Sequence, residues 1–468
     1  QRQWFKSTLS GFSIWSIHVA HAKTLSSIPE KVIYHEVLPK ETKYSIAKQY
    51  DITIEELEKR NPEIVSNLPV GYKLIIKGTA PKLEKIESQK APSVTSFSEE
   101  NNKEEIAAPV KKVSNERKKV VLLLPFNMSK IQGDTLNTTA TRLKKDKFLN
   151  MTLDFYSGAV MAIDSAKQLG ISVDVSIFDS EETKNSSNVA KLIADNQLAT
   201  FGAVIGPFYQ ANVEKTAELL SANQVAVISP LSKELGKSYP NLFQTITSPN
   251  LIRSAIFDFM RSKKGNIIAV VDKKKVSVKK YILENQKDVR FAALDATGAL
   301  NVLSLKGLLV KNKINYVVME TANTSMIKST MTALLSVQPF YNVQLVILEP
   351  NETLDTDEIE FANLLKLKLL SPSMTRENTS PEAAIFEKNY KLKNKVTPNA
   401  FATRGFDVTF DTLMRLSQAT TFAESASTQV TEQVESKFDY FKNEMGGFAN
   451  KGLYILYYDA DLTVKVAK

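Results

Sequence analysis

The 468-residue sequence contains no cysteine, which excludes disulfides, thiolate metal sites, cysteine nucleophiles and any lipidated cysteine within it. Histidine is nearly as scarce, with only His18, His21 and His35. Everything beyond residue 35 must therefore work without imidazole, so Ser-His-Asp triads, HExxH zinc sites and other histidine-bound metals are removed from most of the chain. No apolar run reaches the ~18–20 residues of a membrane-spanning helix. Charge of one sign is only mildly in excess: 60 basic against 51 acidic residues give +9, without a Lys/Arg stripe interleaved with aromatics. No nucleic-acid partner is expected from that distribution, while an anionic polymer such as carboxylate-bearing cell wall suits it. GxSxG, Walker and GxGxxG patterns are missing. Asp355-Thr-Asp357-Glu358 lacks the glycine and spacing of a calcium loop and reads as a solvated helix start. No cofactor, no metal and no catalytic residue is expected.

What is present is enough apolar sequence, 43% of residues, for two or three domains with real cores. Residues 1–22 run from Arg2 and Lys6 through a moderately apolar stretch at 9–20 to Ala20-His21-Ala22, the order of a secretory signal. An amphipathic first helix or a disordered leader is the alternative.

Residues 32–77 form a small unit. Alternation at 32–37 predicts a strand. Thr42 reads as the N-cap of a helix over 44–50, with Ile46, Ala47 and Tyr50 on one face. A second helix is predicted from Thr53, with Glu55 and Glu56 favoured by its dipole, and it stops near Asn61-Pro62. A turn at 68–71 and a strand at 72–76 complete a βααβ module. Tyr34-His-Glu-Val37, residues 45–50 (SIAKQY), residues 52–57 (ITIEEL), Asn61-Pro62 and residues 68–71 (LPVG) resemble the LysM family. The resemblance implies binding of the N-acetylglucosamine units of peptidoglycan or chitin in a shallow groove, lined here by Lys40, Glu41, Thr42 and Tyr44 and by Asn67, Leu68, Pro69, Gly71 and Tyr72. Backbone amides there can bond an N-acetyl carbonyl while Leu68, Pro69 and a tyrosine meet the methyl group and sugar face. Tyr44 and Tyr72 could equally pack the small core. The sequence departs from the family at residues 40–43, KETK, where a glycine usually opens the turn. Residues 78–118, rich in Lys, Glu, Ser, Pro and Asn with a single aromatic, Phe97, read as a flexible linker.

From residue 119 short apolar runs alternate with amphipathic segments. Residues 120–125 (VVLLLP) read as a buried strand because the run is continuous. Strands at 173–178, 203–206 and 225–229 alternate with helices at 153–169, 189–196 and 212–221, and the rhythm restarts after Phe243. Such alternation predicts a doubly wound parallel sheet in each of two lobes. Residues 119–125 (KVVLLLP), 155–159 (FYSGA), 178–180 (FDS), 203–207 (AVIGP), 225–230 (VAVISP) and Gly405-Phe-Asp407 resemble the type I periplasmic binding proteins, the branched-chain amino-acid receptors in particular. Ligands of α/β sheets sit beyond the carboxyl ends of strands, so the expected cleft lining is Phe126, Asp179, Gly206, Pro207, Phe208, Tyr209, Ser229 and Pro230 in the first lobe and Asp272 and Glu320 in the second. Pro207 opening a helix would offer free backbone amides to an anion. Two departures bear on the ligand. Receptors of the family commonly follow Gly-Pro with a small hydroxyl residue that bonds the ligand carboxylate, where this chain has Phe208-Tyr209-Gln210. The second lobe has Asp272-Lys-Lys-Lys275 in place of the usual aspartate-tyrosine pattern. Residues 127–150 form a long segment between the first strand and helix, either a lid or partner surface or a plain loop. Residues 453–458 and 462–466 read as a C-terminal hairpin on the large domain, which spans 119–468.

The expected fold class is α/β: a small βααβ LysM module, a flexible linker, then a two-lobed type I periplasmic-binding-protein fold. The expected function is that of an exported, non-enzymatic protein of the periplasm, associated with the cell wall through peptidoglycan, whose two-lobed domain binds a small ligand or an envelope protein. An amino-acid or other solute-binding protein of an ABC transporter is the alternative, and a peptidoglycan hydrolase a remote one.

Overall fold

The computed structural model describes residues 33–37, 43–50, 52–61, 64, 73–77 and 117–468 except 135, 235 and 445. The signal-like segment at 1–22 and all but the last two residues of the 78–118 linker lie outside the described residues. The chain divides into two compact units, one carrying the small module and the other the large domain.

In the module, β1 (Ile33–Glu36) pairs antiparallel with β2 (Lys73–Lys77), and helices Lys43–Gln49 and Ile54–Arg60 fill the connection. Thr53 caps the second helix in a reciprocal capping box with Glu56, satisfying two end donors at once. That helix ends at Asn61, as the following proline requires. The Asn61 side chain is buried; it donates to Leu57 O and Ile75 O and accepts from Ile75 N, which ties the helix end to β2. Val37, Ile46, Ala47, Leu57, Ile64, Leu74 and Ile76 are the core.

The large unit holds two seven-stranded sheets. The first lobe contributes β3 (Lys118–Leu124), β4 (Val173–Asp179), β5 (Ala203–Ile205), β6 (Ala226–Ser229) and β7 (Leu242–Gln244), all parallel. The run at 120–125 is continuous because both faces of β3 are covered: Val120, Leu122 and Leu124 enter one core cluster, Val121 and Leu123 the other. The second lobe contributes β8 (Asn266–Val271), β9 (Arg290–Phe291), β10 (Asn315–Glu320), β11 (Val343–Val346) and β12 (Leu370–Ser373), again parallel.

The chain passes between lobes three times. It leaves the first lobe after β7, returns after β12 through helices Pro381–Asn394 and Ala400–Gln418, and crosses again after residue 450. Helix Ala400–Gln418 packs on Lys147–Gln168, the most extensive helix pairing of the unit. Glycine makes that crossing close. A Cβ at Gly158 would lie 1.8 Å from Ala402 O, and one at Gly405 2.0 Å from Phe155 O. The motifs at 155–159 and 405–407, some 250 residues apart in sequence, are thus the two sides of one backbone contact.

Two segments differ from expectation. Residues 127–150 are not a loop but two short helices, Met128–Gly133 and Thr139–Lys145, followed by the start of the long helix Lys147–Gln168. Thr138 caps Thr139–Lys145 and Asp146 caps Lys147–Gln168, and Arg142 is paired with Asp134. After helix Phe422–Thr428 come four strands that the sequence pattern does not predict. A hairpin pairs β13 (Thr431–Glu432) with β14 (Lys437–Phe438), and β15 (Tyr440–Lys442) with β16 (Phe448–Asn450) extends the first sheet beside β7. Strands of two or three residues carry no readable period. The expected C-terminal hairpin is present as β17 (Tyr454–Tyr458) and β18 (Val464–Val466), closing the second sheet. Among the described residues no helix is long and apolar enough to cross a membrane.

Candidate functional site

The strands of the first lobe end in a cluster of backbone amides. Gly206 has φ +98°, and a Cβ there would lie 2.2 Å from Leu123 O, so only glycine lets β5 turn against β3. Pro207 follows, and Phe208 and Tyr209 bring their amides to the head of helix Gln210–Leu220. Those amides are not free. Phe208 N donates to Glu182 Oε1 at 2.8 Å and Tyr209 N to Glu182 Oε2 at 3.0 Å. Asn212 Nδ2 adds a bond at 2.9 Å and Ser180 Oγ one at 3.2 Å. The carboxylate of Glu182 is 1% exposed and fills the anion cradle from within the chain. Burial raises its pKa, opposed by these four donors.

Aromatic rings fill the space around the cradle. Phe208 is buried, edge-on to Phe148 and Phe155, and Tyr209 stacks on Phe148 with centroids 5.1 Å apart. Phe126 lies edge-on to Tyr156. Asp179 accepts from Asn127 N, Met128 N and Glu181 N, so it holds the start of helix Met128–Gly133; burial raises its pKa. Over this floor a cavity of about 230 Å³ remains, walled by Phe126, Phe148 and Tyr209 and rimmed by Lys130, Arg142 and Lys184.

Ser229 and Pro230 carry backbone bonds to residues of the interlobe passages. Ser229 O accepts from Thr245 Oγ1 at 2.6 Å, Pro230 O accepts from Arg404 Nε at 3.1 Å, and Ser229 Oγ is buried without a partner.

In the second lobe Asp272 accepts from Lys274 N and Thr321 Oγ1; the backbone bond from Lys274 leads in lowering its pKa. Glu320 is 4% exposed, accepts from Leu348 N at 2.8 Å, and is raised by burial. It lines a cavity of about 320 Å³ with Lys275, Glu349 and Glu352. Each cavity is lined by one lobe alone. Sequence reasoning missed Glu182, Asn212 and Arg404, because the partners that give them meaning lie 26 to 174 residues away and leave no local pattern.

These sheets, linked by three passages, can be set beside solved structures. A structure described as a candidate branched-chain amino acid ABC transporter from Rhodospirillum rubrum is similar over 75% of this chain and 100% of its own, with 13% identity and a TM-score of 0.50. The C-domain of LpoA (YraM) from Haemophilus influenzae, a regulator of PBP1A, is similar over 75% of this chain and 100% of its own, with 14% identity and a TM-score of 0.44. The substrate-binding protein LivJ from Streptococcus pneumoniae, in complex with isoleucine, has 14% identity, the same two coverages and a TM-score of 0.37. The likeness is one of fold. The large unit has the two-lobed fold of the type I periplasmic binding proteins. Residues 35–77 match the LysM domain family. No curated protein matches the sequence. In the LysM module Tyr44 belongs to helix Lys43–Gln49, while Lys40, Glu41, Thr42, Asn67, Leu68, Pro69, Gly71 and Tyr72 lie outside the described residues.

Proposed function

We propose that this chain is an exported, non-enzymatic protein of the cell envelope, held on peptidoglycan by its LysM module, whose two-lobed domain binds a partner protein rather than a free amino acid. The LysM match supports the glycan anchor and the envelope location. The observation that carries the rest is the carboxylate of Glu182 in the amide cradle behind Gly206-Pro207. A ligand carboxylate entering that cradle would have to expel Glu182, leaving a buried anion without its four donors, and such a group is costly to desolvate. Phe148, Phe208 and Tyr209 occupy the adjoining space, and the two remaining cavities are separate, with open, charged rims suited to side chains of another protein. A small ligand other than an amino acid is the second reading, supported by the two cavities at the strand ends.

Thermal denaturation with free amino acids tests this. Leucine, valine, isoleucine and the others at millimolar concentration should leave the melting temperature unchanged, whereas a micromolar site would add about 4 kcal/mol. A saturable shift with any of them on the unmodified protein would restore the transport receptor as the function.

A further inference from the structure

The three passages between lobes meet on one buried polar node that belongs to neither strand-end cavity. The β13–β14 hairpin is bonded directly to the second and is linked to the others through Arg404 and Asn450. It is zipped to the second passage by the Thr375–Ser436 bridge, by Arg376 N donating to Glu435 O, and by Asn378 Nδ2 donating to Val434 O. The third passage is joined through Asn450 Nδ2, which donates to Lys437 O and, on the first passage, to Thr245 O. Arg404, partly buried, reaches Pro230 O, Thr245 Oγ1 and Ser436 Oγ. Thr247 Oγ1 closes the ring by donating to Gly452 O at 2.9 Å.

Within the node two carboxyl groups are crowded together. Asp407, on the helix Ala400–Gln418, is 0% exposed and accepts the amides of Val434, Glu435 and Ser436. Glu435, on the hairpin, has Thr403 as its side-chain partner and Asp407 and Glu377 as neighbouring negative charges. The positive charge acting on Asp407 is Arg404 from the same helix, while Arg376 from the second passage and Lys437 from the hairpin are both paired to Glu432. The phenol of Tyr454 lies under Arg376 and Lys437 and stays neutral, its pKa raised by burial.

We propose that this node is a proton-operated hinge latch: the Asp407 carboxylate, acceptor of three hairpin amides, seats the hairpin while Glu435 is protonated, and when Glu435 also becomes charged beside it the hairpin loosens and frees the angle between the lobes. Burial first, then the mutual repulsion, pushes Glu435 up to about 7, and burial pushes Asp407 up to about 6. Both values lie above those of free carboxyls, so between roughly pH 4 and 7 the folded state holds protons that the unfolded state does not. Linkage then requires that the node lose stability as pH rises through that window and level off above it.

The absence of native cysteine makes a direct test clean. Lys191→Cys on the first lobe and Lys366→Cys on the second, both exposed, accept a donor and acceptor dye on the full chain. Transfer efficiency should change between pH 5 and 8.5 with a midpoint between 6 and 7, and Glu435→Gln should abolish the change or move its midpoint by at least one unit. Circular dichroism at each pH confirms that the protein remains folded. A flat profile in the unmodified background, or an unchanged midpoint in Glu435→Gln, would overturn the latch.

Discussion

A single side chain, Glu182, fills the amide cradle at the strand ends of the first lobe. Four donors converge on it, and although Asn212 Nδ2 also donates to Thr183 O at 2.9 Å, the buried amide of Phe208 has Glu182 as its acceptor. Glu182→Ala should therefore destabilise the large domain by about 2–4 kcal/mol, since buried donors left without a partner cost ~1–3 kcal/mol each and water entering the vacated space recovers some of that loss. Formate or acetate should raise the melting temperature of Glu182→Ala and leave that of the unmodified protein alone. If the variant melts like the parent, or gains nothing from either anion, the cradle is not held by that carboxylate. Sequence patterns placed the anion site at Gly206-Pro207 but left its amides free. Local pattern shows where donors point, not what a residue 26 positions upstream brings to them.

At the level of elements, the paired helices Lys147–Gln168 and Ala400–Gln418 join the start of the large domain to its return passage. Their crossing depends on reciprocal glycines rather than on large interlocking side chains. Gly405→Val should cost about 1–3 kcal/mol or more, because a branched side chain must push apart backbones that already touch. Gly133→Ala, at a site with nothing within 4 Å, should stay close to neutral. Calorimetric melting of both variants checks the contrast, and equal effects would show that the crossing tolerates separation. The LysM module is legible at this scale for a different reason. Its helix caps, its stop at Asn61-Pro62 and its alternating strands are all local signals, and β1, β2 and both helices fall where those signals put them.

For the whole molecule, two compact units on one chain imply separable activities. Limited proteolysis should cut first within residues 78–118, the segment expected from its composition to be the linker. The released large fragment should remain folded but no longer co-sediment with peptidoglycan sacculi, while the full chain does. Sedimentation of that fragment at the level of the full chain would assign the anchor to the two-lobed domain instead of the LysM module.

The sequence by itself determined the βααβ module, the alternation of strands and helices in both lobes and the exclusion of histidine and cysteine chemistry beyond residue 35. Each of these follows from residue type and short-range period, which the chain carries wherever it goes. Only the tertiary structure decided that Glu182 occupies the amide cradle, that the carbonyls of Ser229 and Pro230 accept from Thr245 and Arg404, and that Arg404, Asp407 and Glu435 meet at one node. Those roles come from contacts between segments tens to hundreds of residues apart. Burial and charge at such a meeting point exist only once the sheets have brought the segments together.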